Sequence, residues 1–152
     1  MEAIIFCGIQ ASGKSSFFKE RFFRTHMHLS LDLLNTRNRL GKFMDVCLST
    51  QLPFVIDNTN PTRAEREQYI HAAKARQYKV TGYYFKSGIG DALLRNSLRQ
   101  GKELIPEKGL KATYNKLQLP VWEEGYDELY YVELTADGFV VKEWTTETNN
   151  KL

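Results

Sequence analysis

The chain has 152 residues, 42% of them apolar and 26% charged, with a formal net charge of +3. These values exclude a fibrous, low-complexity or disulfide-framed protein and fit one globular domain with a sizeable core. No run of eighteen apolar residues occurs, so a helical membrane span is excluded.

A single domain over residues 1–144 is expected, followed by a polar tail over 145–152. Met1 leads straight into an apolar run, so no secretory leader is expected and the protein reads as cytoplasmic. Cys7 and Cys47 are too few for a disulfide framework and read as small core residues in a reducing compartment. The charge is uneven. Residues 120–152 hold eight acidic and two basic side chains, a net −6, which leaves +9 on residues 1–119. A basic body suits a phosphate-rich partner, although a solvated surface with a skewed tail is the simpler account of charge alone.

In chain order, residues 3–7 form a short apolar run of the kind a buried parallel strand needs. They feed GIQASGKS, Gly8 to Ser15, which meets the phosphate-loop pattern G-x-x-x-x-G-K-[ST] at every fixed position. Its glycines permit a tight turn whose N–H groups point at phosphate oxygens. Gly8, Gln10, Ala11, Ser12, Gly13, Lys14, Ser15 and Ser16 are the expected nucleotide-binding set. Within it, Lys14 supplies charge for the β- and γ-phosphates and the Ser15 hydroxyl a ligand for Mg²⁺, while the following helix adds its positive dipole end. That helix is expected over residues 15–23, with Phe17, Phe18, Phe22 and Phe23 facing the core.

Residues 26–30 suggest a short strand, and 33–51 a helix weakly interrupted at Gly41. Residues 53–56 read as a buried strand ending at Asp57-Asn58-Thr59-Asn60. Pro61 suits the first turn of a helix capped by Asn60 and running to about Ala75. A strand is expected over 78–85, with Gly82 marking close packing, and then a helix over 89–99 that places Arg95 and Arg99 on one face. After a loop between Gly101 and Pro106, a helix over 107–117 completes a helical lid spanning about 88–118. Residues 120–126 read as irregular, and 129–134 with 139–141 as a hairpin around Ala136-Asp137-Gly138. The fold class is therefore α/β: a central, mostly parallel sheet flanked by helices, with nucleotide at the carboxyl ends of the strands.

Asp32 follows the second strand and faces the same crevice, where a carboxylate can take a proton from an attacking hydroxyl. It also suits the N-cap of a helix beginning at Leu33, and the two roles are compatible. Asp57 stands where an acid holds Mg²⁺, or forms a turn. Thr59 and Asn60 are candidates to orient metal waters or an acceptor, and Arg95 and Arg99 to neutralise charge on the transferred phosphoryl group. His26 and His28 have no third ligand nearby and do not suggest a metal site. His71 reads as helix surface. Trp122 and Tyr126 read as packing beneath a loop.

GIQASGKS, Ser30-Leu31-Asp32, VIDNTNP at 55–61, Arg95-Asn96-x-x-Arg99, Ile105-Pro106 and Glu124-Gly125-Tyr126 occur in one order. Over about residues 3–134 this set resembles the kinase domain of the polynucleotide 5′-kinase family, including the kinase half of kinase–phosphatases. The resemblance implies the P-loop kinase fold, ATP and Mg²⁺ as cofactors, and a DNA or RNA 5′-end as acceptor. It further implies Lys14, Asp32, Arg95 and Arg99 as catalytic residues: Asp32 as general base and the two arginines as lid residues gripping the donor. Ser15 and Asp57 then serve the metal, and Thr59 and Asn60 lie beside the acceptor. Family members often carry an arginine three residues after the base. Asn35 stands there, and Arg37 or Arg39, on different faces of a helix, is the nearby candidate to meet an acceptor phosphate. No phosphatase signature D-x-D-G-T occurs, so a stand-alone kinase is expected. The alternatives are a small-molecule or nucleoside kinase of the same fold and a nucleotide-dependent switch. Oligomeric state is left open by the sequence.

Overall fold

Short apolar strands that alternate with amphipathic helices can bury both faces of a sheet only by pairing in parallel. The computed structural model, which describes residues 1–145, does so in the strand order β2-β3-β1-β4-β5-β6. Strands β1 (Glu2–Cys7), β2 (Met27–Leu29), β3 (Phe54–Ile56), β4 (Lys79–Phe85) and β5 (Glu128–Thr135) are mutually parallel. Only β6 (Gly138–Glu143) pairs antiparallel, with β5 through a two-residue turn. The helices are α1 (Lys14–Arg21), α2 (Leu31–Leu34), α3 (Arg37–Thr50), α4 (Arg63–Ala75), α5 (Ile89–Ser97) and α6 (Glu107–Lys116). Single 3₁₀ turns occupy Gly101–Glu103 and Trp122–Glu124. Of the expected tail, residues 146–152 lie outside the described residues.

The two-residue period of the strands divides the core. Ile4, Phe6, Val55, Phe85 and Val132 pack with Phe17 and Phe18 of α1 on one face, where the Phe6 and Phe85 ring centroids are 4.9 Å apart. Ala3, Ile5, Cys7, Phe54 and Ile56 pack on the other with Leu40, Met44, Cys47 and Leu48 of α3 and with Tyr69, Ile70 and Ala73 of α4. Both cysteines are free and buried, as expected. Phe23 departs from the expectation. The first helix stops at Arg21, and Phe23, beyond its last turn, is exposed.

Three local expectations are corrected. The segment after β2 breaks at Asn35, whose φ of 70° stops α2, and not at Gly41, which lies inside α3. Asp32 is not an N-cap. Ser30 caps α2, its hydroxyl accepting from the Leu33 N–H, and places Asp32 in the first turn. Thr62, not Asn60, caps α4 by accepting from the Glu65 N–H, so the helix opens at Arg63.

Gly82 marks close packing, as its place in a buried strand suggests. A Cβ there would lie 2.6 Å from Tyr126 Cε1 and 2.8 Å from Leu129 Cδ1. Tyr126 is buried, so its ring cannot swing clear. Gly82→Ala is expected to lower stability by about 1–3 kcal/mol through overpacking. Urea unfolding of the two proteins measures it, and an unchanged midpoint would show that the ring yields.

Candidate active site

The loop after β1 must turn back on itself to start α1, and Gly13 makes that possible with φ 96°. Neighbouring segments hold the loop from both sides. The Gly8 N–H donates to Thr59 O (3.0 Å), and the Ile9 N–H to the Ser87 hydroxyl (3.1 Å). The Ser12 hydroxyl donates to Ile9 O at 2.8 Å, and the Gln10 amide to Thr113 Oγ1 of α6 at 3.1 Å. Arg95 reaches from α5 to Ala11 O at 3.1 Å. Ser16 is exposed in the first turn of α1.

Lys14 lies along the inside of this loop, its ammonium donating to Gly8 O (3.0 Å) and Ile9 O (2.8 Å). Burial pushes its pKa down to about 8. The Asp57 carboxylate opposes that shift most among the nearby acids, with Asp32 acting in the same sense, while the charge of Arg99 adds to the lowering. Asp32 and Asp57 follow β2 and β3, which lie beside β1 in the parallel sheet, so both acids stand at the same end of the sheet as the loop. Asp57 follows β3 directly and is buried, and its Oδ2 accepts from the Ser15 hydroxyl at 3.1 Å. Asp32 is exposed and makes no hydrogen bond or ion pair among the described residues, which leaves its oxygens available to a hydroxyl.

The DNTN turn after β3 is structural as much as chemical. Asn58 Oδ1 accepts from the Leu31 N–H at 2.8 Å and so fixes the start of the helix that carries Asp32. Asn60, buried, donates its amide to Phe6 O at 2.8 Å. Thr59 contributes its carbonyl to the loop, as above. Arg37 stands at the start of α3, exposed, 3.9 Å from Glu65 of α4. Arg95 and Arg99 do not share a helical face. The helix ends at Ser97, and Arg99 lies beyond it, donating to Glu103 O at 3.3 Å.

Two residues that support the site are not apparent from motifs. His28 Nε2 lies 2.7 Å from Asp57 Oδ2. Arg66 of α4 is fully buried, paired through two nitrogens with Glu124 (2.8 and 3.1 Å) and donating to Asn60 O at 2.8 Å. Its guanidinium also approaches the Cys7 sulfur at 3.4 Å, but burial dominates there and lifts the thiol to about 11, so it stays protonated.

The donor set fits Mg²⁺, a hard cation that takes one or two protein oxygens and completes its shell with phosphates and water. Ser15 and Asp57, 3.1 Å apart, could supply those oxygens. Among the described residues no cluster of three His, Cys, Asp or Glu offers an all-protein cage.

No protein-family model matches the chain. Among curated proteins it is 26% identical over 129 residues to a bifunctional polynucleotide phosphatase/kinase of Schizosaccharomyces pombe, covering 82% of this chain and 32% of that one. It is 28% identical over 144 residues to a putative bifunctional polynucleotide phosphatase/kinase of Acanthamoeba polyphaga mimivirus, covering 90% and 34%. The chain thus spans about a third of the length of these relatives. Among solved structures, a gluconokinase from Sinorhizobium meliloti 1021 superposes with a TM-score of 0.62 at 17% identity, over 87% of this chain and 82% of that one. The expected α/β fold of the P-loop kinases is the one observed.

Two outcomes follow from the site. Removing one member of a buried ion pair strands the other, so Glu124→Leu should cost about 3–5 kcal/mol in urea unfolding. Arg66→Met combined with it should recover most of that loss, and additive losses would argue against the pair. Nucleotide affinity measured in EDTA should fall between about pH 7 and about pH 9, because Lys14, with its pKa near 8, loses its charge as pH rises. Lys14→Arg, permanently charged, should abolish the fall.

Proposed function

We propose that this polynucleotide-kinase-like P-loop kinase moves the γ-phosphate of ATP to the 5′-hydroxyl of a DNA or RNA end. The observation that carries the reading is that the Lys14 loop, Asp32 and Asp57 follow the carboxyl ends of the neighbouring parallel strands β1, β2 and β3, with Asp57 accepting from the Ser15 hydroxyl at 3.1 Å. The motif order it shares with the polynucleotide kinase family and the names of its curated relatives support the acceptor.

Phosphoryl transfer asks a protein mainly to position reactants and offset charge. Backbone N–H groups of the loop and the start of α1 cradle the donor phosphates, and Lys14 leaves its loop carbonyls to meet their oxygens. Ser15 and Asp57 would hold Mg²⁺, which would supply positive charge to the donor phosphates. The acceptor hydroxyl donates its proton to Asp32 as its oxygen bonds to the γ-phosphorus. The bond from that phosphorus to the β–γ bridging oxygen breaks, and ADP departs with the electron pair. Arg95 and Arg99 neutralise the charge that spreads over the transferring group. Arg37, exposed at the start of α3 and 3.9 Å from Glu65 of α4, would pair with a backbone phosphate of the incoming strand.

The test is transfer of labelled γ-phosphate from ATP to 5′-hydroxyl DNA and RNA oligonucleotides. Label should appear on the oligonucleotide and disappear with Lys14→Ala. Asp32→Ala should lose at least about 10²-fold in turnover with nucleotide affinity unchanged. Equal turnover in the Asp32 variant would remove it as the base.

A further inference from the structure

His28 lies at the middle of β2, opposite Val55 of β3, and its ring is held from two directions. It stacks on Phe18 of α1, with centroids 3.8 Å apart and planes 13° from parallel. Its Nε2 lies 2.7 Å from Asp57 Oδ2. A carboxylate only accepts, so that nitrogen carries the hydrogen and donates. Phe18 sits one turn after Ser15 on the same helix, and Ser15 donates to the same Asp57 oxygen at 3.1 Å. Two donors therefore converge on Oδ2, and Oδ1 accepts from neither. The Asp57 backbone is fixed as well, its N–H bonded to Leu29 O at 2.9 Å. The Asp57 side chain is 2% exposed and that of His28 27%, so the imidazole stands between a buried carboxylate and solvent.

We propose that His28 is a positioning residue for the divalent cation. By holding Asp57 through Oδ2 it keeps Oδ1 as the oxygen that meets the metal or one of its waters, and so sets how tightly the nucleotide complex binds Mg²⁺. This rests on the reading that Ser15 and Asp57 serve the metal, and it does not depend on which acceptor is phosphorylated. Its physical basis is general. A ligating carboxylate is itself oriented by hydrogen bonds, and removing such a partner typically lowers metal affinity by about 10–100-fold. A ring on an apolar face is commonly mere packing, and the stack on Phe18 would satisfy that role without the nitrogen. The two roles separate experimentally because phenylalanine keeps the ring and loses the donor.

Mn²⁺, which favours the same oxygen-rich octahedral shell, is the probe. Its binding to the ADP complex is read by electron paramagnetic resonance, and ADP affinity is measured separately in EDTA. The wild-type complex should bind Mn²⁺. His28→Phe should weaken that binding by at least about 10-fold and leave ADP affinity in EDTA unchanged. His28→Gln or His28→Asn, which restore a donor, should recover most of the loss. Unchanged Mn²⁺ affinity in His28→Phe overturns the proposal, as does an equal loss of ADP affinity in EDTA or failure of both donor variants to rescue. Absence of Mn²⁺ binding by the wild-type complex overturns the metal reading and this role together. Neither result alters the assignment of the acceptor, which the oligonucleotide assay decides by itself.

Discussion

The arrangement depends on one buried guanidinium. Arg66 takes Glu124 from the loop before β5, the Asn60 carbonyl from the turn after β3, and a contact with Cys7 at the end of β1. Those segments are distant in sequence; Cys7 leads into the phosphate loop and Asn60 lies three residues after Asp57. Burying a charge costs several kcal/mol unless its hydrogen bonds are met, and here the two-nitrogen pairing with a carboxylate and the added carbonyl meet them. The pair is thus a register device. Asn60, held by Arg66 through its carbonyl and bonded to Phe6 through its amide, brings the turn to the loop, where Thr59 O accepts from Gly8.

From that fixed frame the electrostatics follow. Lys14 is kept charged at neutral pH by two loop carbonyls and the nearby acids, against a burial that pulls its pKa down to about 8. An anion entering the loop offers the ammonium stronger partners than carbonyls do. The loop can therefore exchange its carbonyl partners for phosphate, with Asp57 already oriented by Ser15 and His28. The two acids differ in their surroundings. Asp57 is buried and doubly hydrogen-bonded, as would suit a ligand, whereas Asp32 is exposed and has no hydrogen bond among the described residues, as would suit a base.

Much of this was legible in the residues. GIQASGKS placed the loop, four apolar residues placed β3, and the acid after each strand end fell at the crevice because a parallel sheet brings those ends together. Local capping was partly missed although its signals were present. Thr62 and Glu65 have the T-x-x-E spacing of a helix start, and Asn35 is a residue type that tolerates positive φ, whereas a lone glycine such as Gly41 is tolerated inside a helix. Arg66 also left a trace: it falls on the same stripe as Tyr69, Ile70 and Ala73, where a charge needs a buried partner. Which partner it takes was not legible, since Glu124 lies 58 residues away. The contact of His28 with Asp57, 29 residues apart, is equally a product of β2 pairing with β3.

The central claim is that the free carboxylate of Asp32 awaits a strand-terminal hydroxyl. The most direct measurement is steady-state ATP turnover in the presence of matched oligonucleotides that end in 5′-hydroxyl or 5′-phosphate. The account predicts that the 5′-hydroxyl strand stimulates turnover, by about 10²-fold or more if proton removal by a placed base is at work, and that the 5′-phosphate strand does not. Turnover that ignores both strands, or responds equally to them, would contradict it and make the protein a hydrolase or a kinase of some smaller acceptor.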